Sequence, residues 1–330
     1  MKLLRTSLLA LAGMAAAVPA WADLTLYSGR GETLVAPIVA AFTAETGIRV
    51  NVRYAGTAEL AILLQEEGAR SPADLFWAQD VAALGAIKPL FAPLPDSITG
   101  KVSAKERDAD GAWVGTSGRM RLMIYSPDRV PEAELPASIT ELADPKWKGR
   151  IALAPTNGSF IAHVAALRVA LGDEATLEWL KAFKANEPVT GRNNTALHQL
   201  IADGEADLAV TNNYYLSRFL SRDADFPVRH ALFAEGDLGN LMMVAGIGVL
   251  ATSDQKEEAQ AFVEFLLSGT AQQFFTGTVY EYPVTGEAIA PVAGLGVSYA
   301  EGRAAAPEFD LNLLTDLEGT LALLREAGLL

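Results

Sequence analysis

The sequence has no cysteine, which removes disulfide staples, thiolate metal sites and cysteine nucleophiles together. Histidine is nearly as scarce. His163, His198 and His230 are the only three, too few for a histidine-rich zinc centre, and none of them sits in a motif. Beyond the N-terminal leader there is no uninterrupted apolar run of about 18 residues, the length a membrane helix needs. The G-x-S-x-G, H-E-x-x-H and Walker A patterns are also missing, and no pair of carboxylates is singled out, so an enzyme has little support. Positive charge is in deficit: 26 Lys and Arg face 40 Asp and Glu, for a net charge of −14. Nucleic acid and anionic membrane surfaces are poor partners for such a chain.

What is present begins with an export signal. Lys2 and Arg5 form a positive n-region, Leu8 to Val18 an Ala-rich apolar h-region, and Ala20-Trp21-Ala22 a small-residue cleavage site. Cleavage after residue 22 would leave a chain starting at Asp23 and more acidic still. With no cysteine to carry a lipid at that point, a soluble periplasmic product is expected, with no membrane insertion. The remaining length suggests two domains.

The spacing predicts a βαβαβ start. Leu24 to Tyr27 reads as a strand running into the Ser28-Gly29-Arg30-Gly31 turn, and Leu34, Val35, Ile38, Val39 and Phe42 repeat as a helix that Gly47 closes. Strand 48–52, helix 60–68 and strand 73–77 follow. This rhythm makes a parallel sheet, whose ligands sit beyond the carboxyl ends of its strands; Ser28 to Gly31 and Ala78 to Asp80 fall there. A long apolar segment, 113–125, reads as a crossing between domains. Then come a second βα series from Arg150, helices at 161–171, 175–185 and 195–202, strands at 208–211 and 243–250, a helix at 256–267 and a last helix over 312–327. A chain that builds one α/β unit, crosses to another and returns suggests two lobes on hinge strands that close around a ligand.

Asn212-Asn213-Tyr214-Tyr215 is the most informative tetrapeptide. On a regular strand the two tyrosines would point to opposite faces, but at a strand end or helix start both phenols can turn to one point. Phenolate is a hard anionic oxygen donor that suits a hard cation such as ferric iron. Two hydrogen-bonded tyrosines packed at a core edge would look the same from the dipeptide alone.

The chain resembles the periplasmic ferric-iron-binding proteins of ABC transporters. Six landmarks carry the resemblance in order: Ser71 to Phe76 (SPADVF in the family), Ser117 to Arg121 (SGRxR), Pro145 to Ile151 (PxWKxRI), Pro155 to Phe160 (PTSGAF), Asn212 to Tyr215 (NNYY) and Glu281 to Pro283 (EYP). It implies an α/β type II periplasmic-binding-protein fold, with an N-terminal lobe of 23–118 plus about 244–293 and a C-terminal lobe of 119–243 plus about 294–330. It also implies one Fe³⁺ in the interlobe cleft, ligated by Tyr214 and Tyr215, with carbonate or phosphate as a synergistic anion held by Asn157, Gly158, Ser159, Asn193 and Asn212. The 157–159 turn suits an anion physically, because it opens a helix. Delivery of the iron to an inner-membrane permease and its ATPase is implied, with the carrier expected to be a monomer.

Two ligands found in one branch of the family are absent. A His in the turn after the first strand is replaced by Gly31, and a Glu shortly after SPADVF is replaced by Gln79, with Asp80 next to it. A bidentate anion, Asp80 or a third tyrosine could complete the shell, or the iron could arrive already chelated. Arg119 and Arg30 are read as forks for the anion. Tyr27, Gln79 and Asp80 are kept as further cleft residues, and Tyr280 or Tyr282 could approach. The alternative on the same fold is a carrier of an organic anion or sugar phosphate.

Overall fold

A computed structural model describes residues 23–285 and 296–330. The export signal read at 1–22 and the lobe boundary near 293 lie outside the described residues. The strands are β1 (Asp23–Ser28), β2 (Arg49–Tyr54), β3 (Leu75–Ala78), β4 (Phe91–Ala92), β5 (Val114–Tyr125), β6 (Ile151–Leu153), β7 (Val189–Thr190), β8 (Leu208–Asn212), β9 (Arg229–Ala231) and β10 (Met242–Leu250). The helices are α1 (Glu32–Thr46), α2 (Thr57–Glu67), α3 (Val81–Ala86), α4 (Asp96–Thr99), α5 (Gly158–Leu171), α6 (Asp173–Ala185), α7 (Asn194–Ala202), α8 (Asn213–Leu220), α9 (Lys256–Leu266), α10 (Gly269–Phe274), α11 (Tyr299–Ala305) and α12 (Leu317–Glu326).

The opening rhythm folds as its periodicity predicts. β1 lies between β2 and β3, parallel to both. Gly47 ends α1 in the left-handed region at φ 77°, where a side chain would be strained. The strands follow the order β2-β1-β3-β10-β5-β8-β6-β7. β5, the expected crossing, is buried along its whole length. Through Met120 it pairs with β10, and from Arg121 onward with β8 and β9. One strand therefore carries Arg119 and Arg121 through the join of the two halves of the sheet, with both side chains on the same face by strand alternation.

Aromatic rings anchor the first half. Phe262 meets Phe42 edge-on at 5.0 Å and Trp77 at 6.3 Å, while the Trp77 indole N–H donates to Thr116 Oγ1 at 2.9 Å. A smaller core under the second half joins Leu122, Ile124, Ile201, Leu216 and Val228. The helix expected over 312–327 is split instead into a 3₁₀ turn at Leu311–Leu313 and α12. Asp316 breaks it, because its carboxylate accepts the Gly319 N–H at 2.8 Å and starts a new helix.

Candidate metal centre

β8 passes directly into α8, so Tyr214 and Tyr215 fall in the first helical turn rather than on the strand. Their ring centroids are 4.3 Å apart with planes inclined by 33°. Arg218, three and four residues on, lies over both rings, its Cζ 4.9 Å from the Tyr214 centroid and 5.4 Å from that of Tyr215. Tyr214 is fully buried and Tyr215 is partly exposed. Burial, then the neighbouring Tyr214, hold the Tyr215 hydroxyl well above its ordinary pKa. The Tyr215 phenol is therefore protonated in the iron-free protein unless a cation replaces its proton.

The Tyr214 oxygen accepts two amide hydrogen bonds, from Gln79 Nε2 at 3.0 Å and from Asn212 Nδ2 at 3.3 Å. Gln79 stands at the end of β3, so this bond joins the two halves of the sheet. Asn212 is held from behind: Arg121 Nη1 donates to its Oδ1 at 3.0 Å, which leaves its Nδ2 to face Ser159 Oγ at 3.0 Å as well as Tyr214. Arg121 also donates to the Val210 carbonyl at 2.8 Å, and burial, with Arg119 nearby, lowers its pKa to about 9. Beside it, burial and the Arg121 charge push His163 down to about 3, so this histidine is neutral.

The 157–159 turn opens α5. Asn157 caps α5, its Oδ1 accepting the Ser159 N–H at 3.0 Å. Asn193 departs from the reading. It is exposed and caps α7, accepting from the Ala196 N–H at 3.0 Å. Its buried neighbour Asn194 reaches the turn instead, its Nδ2 donating to Asn157 Oδ1 at 3.2 Å.

Arg119 is the most unusual group in the cleft. It is wholly buried, and all three guanidinium nitrogens lack a hydrogen-bond partner among the described residues. Burial lowers its pKa, opposed by Tyr214, Asp80 and Glu281. A buried charge this poorly satisfied is expensive. Arg30, read as a second fork, is engaged elsewhere. Its Nη2 makes a two-pronged ion pair with Glu281 at 2.6 and 2.7 Å, its Nη1 donates to Ser117 Oγ at 3.0 Å, and its Cζ stacks on Trp77 at 5.1 Å. Tyr27 also turns away, its hydroxyl donating to Glu67 Oε1 at 3.0 Å beside Arg53. Tyr282 donates to the Val297 carbonyl at 2.8 Å. Asp80 is buried: it caps α3, accepting the Ala83 N–H at 3.2 Å, and burial raises its pKa to about 6.

Sequence reasoning thus missed Arg121, Asn194 and the partner role of Glu281. Arg121 carried a signal, since it is two residues from Arg119 on one strand. The other two depend on packing between distant segments.

Residues 37–297 match the family described as bacterial extracellular solute-binding protein. The chain belongs to that family. It is 35% identical to the major ferric iron-binding protein of Neisseria meningitidis, over 99% of this chain and 98% of that one. It is 34% identical to the Fe(3+)-binding periplasmic protein of Serratia marcescens, over 85% and 84%. Its fold superposes on iron-bound HitA from Pseudomonas aeruginosa with a TM-score of 0.86 at 33% identity, over 93% and 99% of the two chains. These are the proteins the six motifs resemble, and the fold is that of the type II periplasmic binding proteins. As a solute-binding protein, the chain is not an enzyme.

Proposed function

We propose that this chain is the periplasmic capture protein of an iron(III) transporter and that it binds Fe³⁺ together with a dianion. One observation carries the reading: two phenols with rings 4.3 Å apart lie near a buried guanidinium that has no hydrogen-bond partner among the described residues. Tyr214 and Tyr215 are the metal ligands. Arg119, Ser159, Asn212 and the N–H groups that open α5 hold the anion, with Asn157 shaping the turn and Asn194 bracing it.

Charge favours the dianion. A ferric ion with two phenolates retains one positive charge. Arg119 and Arg121 add two, Asp80 removes one when ionised, and Arg30 cancels against Glu281. Carbonate or hydrogen phosphate offsets the remainder, which a buried site could not otherwise tolerate. Such an anion also fills coordination positions that Gly31 and Gln79 cannot.

The change of partner within β5, between Met120 and Arg121, supports the lobe division given above, with β5 and β10 as hinge strands. The Gln79–Tyr214 bond between the lobes describes a closed form. In this reading the closed, loaded monomer docks on an inner-membrane permease that an ATPase drives, after cleavage of the export signal at residue 22.

The test is a chelator competition on iron-stripped protein in anion-free buffer, repeated with bicarbonate and with phosphate. Iron should be retained at one equivalent only when one of the anions is added. Equal retention without either would overturn the dianion, and no retention under any condition would overturn ferric iron as the cargo.

A further inference from the structure

The seat at the start of α5 already faces a carboxylate of this chain. Asp80 Oδ2 lies 2.8 Å from the point where a Cβ on Gly158 would stand, so only glycine permits the approach. Asp80 is 3% exposed and comes from the end of β3, in the opposite half of the sheet. It thus presents an oxyanion to the N-terminal turn of a 14-residue helix, where backbone N–H groups and the helix dipole favour negative charge. Arg119 is the independent sign that this region takes a ligand. It counts Asp80 among its nearest charges yet has no hydrogen bond to it or to any described residue. The carboxylate, capped by the Ala83 N–H of its own helix, lies against the first residue of α5 without engaging the guanidinium. A free oxyanion, unlike a side chain anchored on α3, could bridge both.

We propose that Asp80 is an internal competitor for the anion seat: its carboxylate occupies the start of α5 in the cargo-free protein and must withdraw before a small oxyanion can bridge Ser159 and Arg119. This rests on the anion-assisted reading above. It gives Asp80 a role distinct from a metal ligand, because the residue sets how readily the anion enters and discriminates against anions too weak to displace it. It also gives the lobes a contact that holds in the absence of cargo.

The inference is tested without iron. Inorganic phosphate and, separately, bicarbonate are titrated calorimetrically into iron-free wild-type protein, Asp80→Asn and Asp80→Ala, with circular dichroism confirming that each is folded. Removing the competing charge should tighten phosphate binding by on the order of tenfold or more in both variants. Unchanged or weaker binding in the variants, or no anion binding to any of the three proteins, would overturn the proposal. Adding ferric iron afterwards separates the two claims. Tighter phosphate binding with no iron uptake would sink the iron reading and leave this one standing. Normal iron uptake with no change in phosphate affinity would do the reverse.

Discussion

Replacing Arg119 with methionine should stabilise the iron-free protein while weakening its grip on cargo. Arg119 is fully buried, and none of its three nitrogens is hydrogen-bonded to a described residue. Its favourable charges, Tyr214, Asp80 and Glu281, act without contact, and Arg30 opposes them. Apolar replacement of a buried charge is commonly neutral or stabilising by about 1–4 kcal/mol, even when the charge is paired. For this barely compensated one we expect about 2 kcal/mol, a rise in melting temperature of about 3 °C for a chain of this size. Methionine matches the length of the arginine stem, so little cavity is left. The loaded form loses charge-assisted hydrogen bonds to the anion, each contributing about 1.5–3 kcal/mol, which corresponds to about a ten- to hundredfold drop in affinity for iron with its anion. Thermal unfolding of iron-stripped wild type and variant reads the first effect, and chelator competition in phosphate reads the second. A variant that melts lower than wild type when iron-free would refute the reasoning, since Arg119 would then be a structural cation rather than a ligand-binding one.

Four further outcomes are expected. Gln79→Glu places a carboxylate beside Tyr214, and it should let the protein hold ferric iron with less dependence on added anion, as a chelator competition would show. Because Asp80 has its pKa raised to about 6, the ionised form opposes folding: the penalty is absent below the unfolded value near 4 and complete above about 6. Asp80→Asn should therefore gain about 2–3 kcal/mol in denaturant unfolding at pH 8 and almost nothing at pH 4. Arg30→Met strands Glu281 in the core and should cost about 3–5 kcal/mol, most of it recovered when Glu281→Leu is added, and a double-mutant cycle measures this. Finally, since Tyr215 is held protonated by burial and by Tyr214, iron uptake should release about two protons, and affinity should fall steeply as pH is lowered from 8 to 6.

Local patterns were the legible part of the sequence. The βαβαβ opening follows from apolar spacing and from Gly47, whose φ of 77° ends α1 where the pattern stops. Tyr214 and Tyr215 were legible as a pair because a strand that runs straight into a helix turns neighbouring side chains together. The turn before α5 was legible too, though not that Asn157 caps the helix. Long-range pairings were not. Arg30 could not be assigned from its turn, because its partner Glu281 lies 251 residues away. Tyr27 sits on the β1 side that faces Glu67, and nothing in an alternating strand says which face meets the cleft. Asn193 and Asn194 are adjacent at the start of α7, which turns one amide to solvent and the other to Asn157. The break before α12 hinges on a single aspartate cap in a segment whose spacing alone reads as continuous helix.

The proposed function stands or falls on Tyr214 and Tyr215 holding ferric iron as phenolates. A visible spectrum of the iron-stripped protein, titrated with ferric citrate in bicarbonate or phosphate, tests it most directly. Ligation by both phenolates should give a red-orange tyrosinate-to-iron charge-transfer band that saturates at one equivalent and is lost in both Tyr214→Phe and Tyr215→Phe. A folded protein that shows no such band with either anion, or a band that survives both substitutions, would contradict it.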